Sequence, residues 1–404
     1  MMLPHSYSPN RMPPKGSKIA IAMSGGVDSS MAAYLLSQQG YDLVGLTAWT
    51  LNGPGKCCND ALVNAGRVCE TLNIPYDTVD LRAEFSHFVM DYYNNSYEAG
   101  YTPNPCVECN RHVKWEHLVR YAREELGCDY LATGHYAILN EDADGQVRVF
   151  RSVDEHKDQT YMMARVYPHD LQHTVFPLGA MTKPEVVSMA RAIDLPTAYS
   201  KESQDICFVL EGQAKYMDKV FGAKTGPIVD YDTGKTLGTH DGYYRYTLGQ
   251  RKGVGVAAGR PVYVVKIDPQ TNTVYLGDSV HLQRSCFTVR DTSWLSLPPV
   301  ENASWDKPVP APFEAMVKIR YNSPPALARV EPYDADSQGF TQLKVTLNEP
   351  FSAITPGQIA AFYDTQFQQL YGGGYIDQHL VHQSLSEDEW DALRQNLPNL
   401  YCEV

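Results

Sequence analysis

A glycine-rich turn near the start of the chain carries the first residues whose types suit chemistry. Residues 24–30 read SGGVDSS and follow a short apolar run, residues 18–23, which predicts a strand. The apolar residues 31–36 predict a helix directly after the turn. Adjacent glycines let a backbone approach a ligand closely, and the N–H groups at a helix N-terminus attract anions. The turn therefore predicts a phosphate or pyrophosphate site, with the Asp28 carboxylate within reach of a metal ion.

A pair of cysteines forms the second such stretch. Cys106 and Cys109 follow Pro103 and Pro105 closely in the sequence. Because residues before a proline avoid helical backbone, we expect the next helix to begin near Asn110. Cys109 would then lie at a helix N-terminus, where the helix dipole favours the nucleophilic thiolate.

A third cysteine, Cys207, follows a polar loop far along the chain. Two cysteines on separate loops near one nucleotide site indicate sulfur chemistry. The chain contains nine cysteines, an odd number, and shows no secretory signal, so we expect a reducing, cytoplasmic location and no disulfide scaffold. No apolar run is long enough to cross a membrane, and none is predicted to do so.

The elements around these residues predict more than one domain. Strands and helices are expected to alternate from Lys18 to about Thr133, which is typical of a parallel sheet with helices on both faces. Ligands bind at the carboxyl ends of such strands, where the glycine turn and residues 133–136 should lie. A helix is expected over 158–166 and a loop over 168–179. Beyond Gly212 the predicted elements are strands, which favours a small barrel.

Length and charge limit the possible functions. A chain of 404 residues is long enough for two or three domains. Its net charge of −13 argues against a general nucleic-acid binder, although an acidic molecule can still carry a basic patch. Residues 1–17 are polar and proline-rich and are expected to form a disordered leader.

Several segments, taken together and in this order, resemble one enzyme family. They are SGGVDSS (24–30), TPNPCVECNRHVKW (102–115), ATGHYA (132–137), KDQTYM (157–162), ESQDICFV (202–209), YTLGQRKGVG (246–255) and TPGQIAAFY (355–363). The glycine turn resembles the PP-loop of the ATP pyrophosphatases. The whole set is similar to the tRNA-specific 2-thiouridylases, the MnmA/TrmU family, over roughly residues 18–378.

The resemblance implies an α/β plus β fold with three domains. Residues 18–212 would form a doubly wound, parallel-sheet PP-loop ATP pyrophosphatase domain. Residues 213–283 would form a small central β-rich domain that binds tRNA, and residues 284–378 a C-terminal β-barrel. Residues 379–404 would be an acidic tail.

The resemblance also implies a reaction, ATP-dependent 2-thiolation of the wobble uridine of tRNA. ATP would adenylate the uracil C2 oxygen, and a cysteine persulfide would supply the sulfur. Cys207 would carry the persulfide and Cys109 would attack it, leaving a transient disulfide. The implied cofactors are ATP and Mg²⁺. The implied partners are tRNA and a sulfur-relay protein or cysteine desulfurase, and we expect a monomer.

Other site residues are assigned by the same resemblance. The nucleotide would be held by Ala22, Met23, Ser24, Gly25, Gly26, Val27, Asp28, Ser29, Ala48 and Gly134. The target base would lie against Asn104, Pro105 and Cys106. The tRNA would contact Lys157, Asp158, Gln159, Arg320, Tyr321, His135 and Gln358.

The sequence departs from the family at two positions. Cys106 stands where some members have aspartate, which puts an acid role there in doubt. Ala48 is smaller than the residue that relatives often place near the adenine, and Trp49 is an alternative for that contact.

The cysteines leave further alternatives open. Cys106, Cys109 and Cys207 could hold an iron–sulfur cluster, or the first two could bind zinc with Cys57 and Cys58. Another PP-loop adenylating ligase and a non-catalytic RNA-binding protein are the competing functions.

Overall fold

The computed structural model describes residues 10–51, 59–200, 206–296, 311–335 and 341–377. In chain order these residues form a parallel sheet covered by helices, a small sheet with one helix, and a closed barrel. The predicted α/β plus β architecture is therefore confirmed.

The first part contains a parallel sheet and a separate hairpin. Its strands are β1 (Lys18–Ala22), β2 (Asp42–Trp49), β3 (Tyr76–Asp80), β4 (Tyr130–Ala132), β5 (Ala137–Glu141), β6 (Val147–Arg151) and β7 (Thr174–Val175). The parallel sheet has the order β3-β2-β1-β4-β7. In this order β1 lies between β2 and β4, so the chain leaves β1 at the point where the direction of winding reverses. Ligands of such sheets bind at that switch point.

Helices cover both faces of the parallel sheet. They are α1 (Val27–Ser37), α2 (Asn59–Leu72), α3 (Arg82–Phe85), α4 (Tyr92–Glu98), α5 (Pro105–Glu108), α6 (Val119–Glu124), α7 (Pro168–Leu171) and α8 (Lys183–Ala192). π-Helical segments join α3 to α4 (Ser86–Asp91) and α5 to α6 (Cys109–Leu118). We call the continuous helical stretch 105–124 the cysteine helix.

Strand alternation explains the two covered faces. Successive side chains of a strand point to opposite sides, and Ile19, Ala20 and Ile21 of β1 are all fully buried. Ile19 and Ile21 belong to the core formed with α1 and α2. Ala20 belongs to the core that includes Trp115 and Leu118 of the cysteine helix. The sheet is therefore doubly wound, as predicted.

Three predictions about local structure are wrong. The cysteine helix begins at Pro105 and not near Asn110, because proline at the first helical position is favourable and Asn104 caps the helix. The predicted helix 158–166 is only a 3₁₀ turn, Thr160–Met163, since the Asp158 side chain bonds to neighbouring polar groups instead. The predicted loop 168–179 contains α7 and the edge strand β7.

The second part is a small sheet that starts with a helix. It contains α9 (Gln213–Phe221), which the β-rich pattern did not predict, and then β8 (Gly226–Asp230), β9 (Thr236–His240), β10 (Tyr263–Asp268) and β11 (Thr273–Gly277). Their order is β10-β11-β8-β9. Strands β10 and β11 pair antiparallel as a hairpin.

The third part is a barrel that also holds a piece of the first part. Its strands are β12 (Gln283–Trp294), β13 (Phe313–Lys318), β14 (Ala326–Ala335), β15 (Thr341–Ser352), β16 (Ile359–Tyr363) and β17 (Gln369–Ile376). Pairing of β12 with β17 closes the barrel. The hairpin β5–β6 of the first part extends this sheet, since Leu370 of β17 pairs with Val149 of β6.

Part of the predicted leader packs against the first domain. Asn10 Nδ2 donates to the carbonyl of Phe176 at 2.5 Å, and the Arg11 N–H donates to the carbonyl of Leu139 at 2.7 Å. Residues 1–9 of the leader and residues 378–404, which include the predicted acidic tail, lie outside the described residues. Among the described residues, no helix has both the length and the apolar character needed to cross a membrane.

Candidate functional site

A cavity of about 390 Å³ lies at the carboxyl ends of β1, β2 and β4. Residues of the glycine turn, 24–30, line one side of it, and Cys109 and Cys207 line another. We call it the central cavity. Residues as far apart in the chain as Ser24 and Cys207 thus meet at the switch point of the sheet.

The glycine turn forms a cradle at the start of α1. Gly25 has a left-handed backbone, with φ of +71°, and a Cβ there would lie 2.8 Å from Ala61 Cα, so the position requires glycine. Gly26 caps α1 without any side-chain hydrogen bond. The hydroxyls of Ser29 and Ser30 donate to the Gly26 carbonyl at 3.1 and 2.8 Å, which fixes the turn. This backbone suits an anion at the helix N-terminus.

The loop after β4 lies directly against the glycine turn. A Cβ at Gly134 would lie 2.7 Å from Ser29 N and 2.8 Å from the carbonyl carbon of Asp28. Next to it, His135 Nδ1 and Thr133 Oγ1 are 2.7 Å apart. Burial, and after it the charge of Lys114, lower the pKa of His135 well below its ordinary value. The imidazole in the cavity is therefore neutral at pH 7.

Asp28 is held by two partners that the sequence did not reveal. Lys183 Nζ lies 2.7 Å from both carboxylate oxygens, and the Tyr136 hydroxyl donates to Oδ1 at 2.8 Å. A capping box between Thr182 and Glu185 starts α8 and fixes the position of Lys183. The pattern Thr-x-x-Glu was a visible signal for the helix start, but nothing in the sequence linked this lysine to Asp28.

The end of β2 forms another wall of the cavity. Leu46, Thr47 and Ala48 line the central cavity together with Thr50. Trp49 is not among the lining residues, and the guanidinium of Arg82 lies 3.8 Å from its ring centre. The suggestion that Trp49 replaces the contact of Ala48 is therefore wrong.

The cysteine helix places its two cysteines differently from the prediction. Cys106, and not Cys109, lies in the first helical turn, where its N–H donates to Asn104 Oδ1 at 3.2 Å. Cys109 begins the π-helical segment one turn later. The dipole of a helix acts mainly within its first turn. The argument from the dipole therefore applies to Cys106, while both cysteines line the cavity.

The described residues do not form a preassembled metal site. Among the described residues, no group of three His, Cys, Asp or Glu side chains is arranged to hold a metal ion. Cys106, Cys109 and Cys207 line one cavity, and a cluster held by all three stays an open alternative. Cys57 and Cys58, which the zinc alternative requires, lie outside the described residues.

A buried ion network anchors the cysteine helix to the barrel. Glu108, between the two cysteines, is 4% exposed, and its Oε1 lies 3.2 Å from Nε of Arg165, which is 2% exposed. Arg165 Nη2 is 2.8 Å from the Asp291 carboxylate, and its guanidinium lies 4.0 Å from the ring centre of Tyr375. Asp291, whose side chain remains exposed, has φ of +50° at a bulge in β12.

The network keeps Glu108 ionised although it is buried. Burial alone would raise the pKa of this carboxyl, but the hydrogen bond with His112 and then the charge of Arg165 outweigh burial and lower it. Tyr375 also contributes a hydrogen bond. The charge of Glu108 is thus balanced by groups from three separate segments of the chain.

The residues assigned to the target base occupy the cavity rim. Asn104 caps the cysteine helix and its Nδ2 lies 3.7 Å from Met162 Sδ. Pro105 is buried at the cavity wall, while Cys106 is exposed. Of this set, Pro105 and Cys106 line the cavity.

The three consecutive residues 157–159, assigned to tRNA contact, have different environments. Gln159 lines the cavity and its Oε1 accepts the Tyr136 N–H at 2.9 Å. Lys157 is partly exposed. Asp158 is 4% exposed and accepts hydrogen bonds from Ser152 N and Thr160 Oγ1, so its carboxylate does not face a ligand. Its contact with tRNA stays a prediction.

The barrel residues assigned to tRNA lie at domain junctions. Arg320 donates to the carbonyls of Leu248 and Ala353 at 3.3 and 2.5 Å, which ties the barrel to the second part. Gln358 Nε2 donates to the Thr102 carbonyl at 2.7 Å, just before the cysteine helix. Tyr321 is partly exposed and its ring centre lies 6.1 Å from that of Tyr161. Sequence reasoning gave no sign of the two bridging contacts.

Family models match most of the chain. The model described as tRNA methyl transferase HUP domain matches residues 17–211. The tRNA methyl transferase PRC-barrel domain matches residues 214–278. The aminomethyltransferase beta-barrel domain matches residues 284–376.

Curated relatives match over almost their whole length. The chain is 41% identical over 364 residues to the tRNA-specific 2-thiouridylase MnmA of Nostoc punctiforme, covering 89% of this chain and 99% of the relative. It is 40% identical over 362 residues to the MnmA of Synechocystis sp., covering 89% and 96% of the two chains.

Solved structures give weaker matches. The U34-tRNA thiolase NcsA from Methanococcus maripaludis with its 4Fe–4S cluster is 19% identical, at a TM-score of 0.31, covering 50% of this chain and 64% of that one. A 4-thiouridine synthetase–RNA complex with bound ATP is 15% identical, at a TM-score of 0.29, covering 48% and 45%. Likenesses at these scores carry no argument about the site.

Proposed function

Because the chain belongs to the tRNA-specific 2-thiouridylase family and is a sulfurtransferase, we propose that it thiolates C2 of the wobble uridine of tRNA with ATP. The observation that carries the proposal is the central cavity. It is lined both by a phosphate-type glycine turn and by Cys109 and Cys207. Activation by a nucleotide and transfer of sulfur can therefore take place in one cavity.

In the first step, the uracil C2 oxygen forms a bond to the α-phosphorus of ATP, pyrophosphate leaves, and the N3 proton of uracil passes to solvent. Oxygen at C2 is a poor leaving group, and adenylation makes it part of AMP, a good one. The glycine turn and Gly134 would hold the nucleotide, since both positions exclude a side chain at close range. Ala48 at the end of β2 leaves room for the adenine.

In the second step, Cys207 carries a persulfide received from a sulfur-relay protein or a cysteine desulfurase. The Cys109 thiolate attacks the Sγ of Cys207, a Cys109–Cys207 disulfide forms, and the terminal sulfur leaves as hydrosulfide. Hydrosulfide bonds to C2, and AMP leaves with the C2–O electron pair. A thiol reductant then restores both cysteines.

A Mg²⁺ ion fits the same site in a limited way. Mg²⁺ is commonly bound by one or two carboxylates together with substrate phosphates. Asp28 is the carboxylate that lines the cavity among the described residues, so it would hold the ion with the phosphates of ATP. The bound ion would neutralise phosphate charge. Lys183 would then be released from Asp28 and could contact the same phosphates.

The test uses anaerobically purified protein with ATP, tRNA and a persulfide donor. Formation of 2-thiouridine, with pyrophosphate released only when tRNA is present, supports the proposal. A colourless preparation that is active supports the persulfide route. Activity that follows a brown chromophore would favour the iron–sulfur alternative, and tRNA-independent pyrophosphate release would favour another PP-loop ligase.

A further inference from the structure

The central cavity holds few charged side chains for a site that would bind a nucleotide. Among the described residues that line it, only Asp28 and Lys114 carry a formal charge at pH 7, and Asp28 is paired with Lys183. Within the described part of the chain, Lys114 has no carboxylate partner. Its ammonium lies 3.5 Å from Nε2 of His135. Among the described residues, the cavity thus contains a cation that no carboxylate neutralises.

The π-helical segment explains why Lys114 faces the cavity. Hydrogen bonds from residue i to i+5 bring residues four and five positions apart onto one face. Cys109, Val113, Lys114 and Leu118 all line the cavity. In an α-helix of 3.6 residues per turn, Lys114 would be rotated by about 140° from Cys109. The ten-residue π-helix therefore places the cation beside the cysteine.

The surroundings of Lys114 place it near the phosphate end of the cavity. Its neighbour His135 follows Gly134, which touches the backbone of Asp28 and Ser29 in the glycine turn. The ring of His135 is neutral, so the positive charge of this pair resides on Lys114. Lys114 thus lines the same cavity as the glycine turn and Cys109 of its own helix.

We propose that Lys114 is a further catalytic residue whose ammonium contacts the α-phosphate of the bound nucleotide. The inference rests on the proposed function. When the uracil oxygen bonds to the α-phosphorus and pyrophosphate leaves, negative charge builds up on the α-phosphate oxygens. It persists there when AMP departs from C2 with the electron pair. The ammonium stabilises this charge in both steps and keeps its proton.

The test compares Lys114→Met and Lys114→Arg with a matched control, Arg120→Met. Arg120 is an exposed cation on the same helical stretch, outside the cavity. The measurement is the single-turnover rate of tRNA-dependent pyrophosphate release. Removal of a group that stabilises developing charge lowers such a rate by about 10²–10³-fold. We expect that loss in Lys114→Met at saturating ATP, recovery to within tenfold in Lys114→Arg, and no change in Arg120→Met.

Several outcomes would overturn the inference. One is an unchanged rate of pyrophosphate release in Lys114→Met. Another is loss of sulfur transfer alone, together with slower alkylation of Cys109 by iodoacetamide, which would assign the cation to the thiolate. If Lys114→Met does not fold, Lys114→Arg is compared with the neutral Lys114→Gln. Equal rates of pyrophosphate release in these two variants would contradict the proposed role of the charge. Absence of pyrophosphate release in the wild type would instead contradict the proposed function.

Discussion

The two sides of the central cavity are built in different ways. The nucleotide side consists of backbone turns at the ends of adjacent strands, where Gly25 and Gly134 allow close approach. The sulfur side consists of side chains on the cysteine helix and on the segment that carries Cys207. That helix is anchored from behind by Glu108 and Arg165, which connect it to the barrel.

This difference separates local from long-range determinants. The core of the nucleotide side is a strand, a turn and a helix that follow one another in sequence, and only the loop at Gly134 comes from a distant segment. The sulfur side needs charges from Glu108, Arg165 and Asp291, which are far apart in the chain. We therefore expect changes on the two sides to affect different steps and different properties of the protein.

The largest expected effect separates the two chemical steps. Cys109→Ser and Cys207→Ser should each lower 2-thiouridine formation by about four orders of magnitude or more, because a missing nucleophile has effects of that size. Single-turnover pyrophosphate release should remain within tenfold of wild type in both. Cys106→Ser is the matched control and should keep most thiolation. An equal loss in Cys106→Ser would instead support a cluster held by three cysteines.

The second effect concerns the anchor of the cysteine helix. Arg165→Met leaves the buried charge of Glu108 unbalanced and should lower the free energy of unfolding by about 3–5 kcal/mol. Glu108→Gln added to Arg165→Met should recover most of that loss, since the uncompensated charge is then gone. Urea unfolding gives the free energy of unfolding of both variants and of wild type. A double variant as unstable as Arg165→Met would show that the charge pair does not carry the anchor.

The third effect breaks the nucleotide side. Gly134→Ala places a Cβ 2.7 Å from Ser29 N and should lower the free energy of unfolding by about 1–3 kcal/mol, with a raised KM for ATP. Gly66→Ala in α2 is the control, because a Cβ at that position would lie 3.6 Å from the Tyr76 ring, an ordinary contact distance. Thermal unfolding measures the change in stability, and the rate at increasing ATP concentration gives the KM. An unchanged KM in Gly134→Ala would show that the contact between Gly134 and the glycine turn does not shape the nucleotide site.

The sequence predicted the nucleotide side because its signals are local. The glycine turn, the strand before it and the helix after it lie within residues 18–37, and the pattern of apolar residues was sufficient. The start of the cysteine helix was mispredicted because Pro105 was interpreted as a helix breaker. In fact it is the first helical residue, after the cap Asn104.

The contacts between domains were beyond the reach of sequence patterns. Arg165 was placed in a predicted helix, and no local feature indicated that Asp291 would face it across the domain boundary. The π-helical segment was equally invisible, because its apolar positions also fit an α-helix. Lys114 therefore did not appear among the predicted site residues although it lines the cavity.

The smallest expected effect is a change in acid sensitivity. The pKa of Glu108 lies below its ordinary value of 4.5 in the folded protein. Its contribution to stability is thus present above pH 4.5 and is lost as the pH falls through the lowered folded value. The free energy of unfolding is measured with urea from pH 7 to pH 3. It should fall less steeply with decreasing pH in the double variant Glu108→Gln/Arg165→Met than in wild type. The same pH dependence in both proteins would contradict a lowered pKa of Glu108.

The central claim is that Cys109 and Cys207 act together in one cavity that also holds the activated base. The most direct measurement is mass spectrometry of the protein after a single turnover with ATP, tRNA and a persulfide donor, quenched in acid without reductant. We expect a peptide pair linked by a Cys109–Cys207 disulfide, in an amount that matches the 2-thiouridine formed. Thiolation accompanied only by a Cys106–Cys109 disulfide, or by no disulfide, would contradict the account.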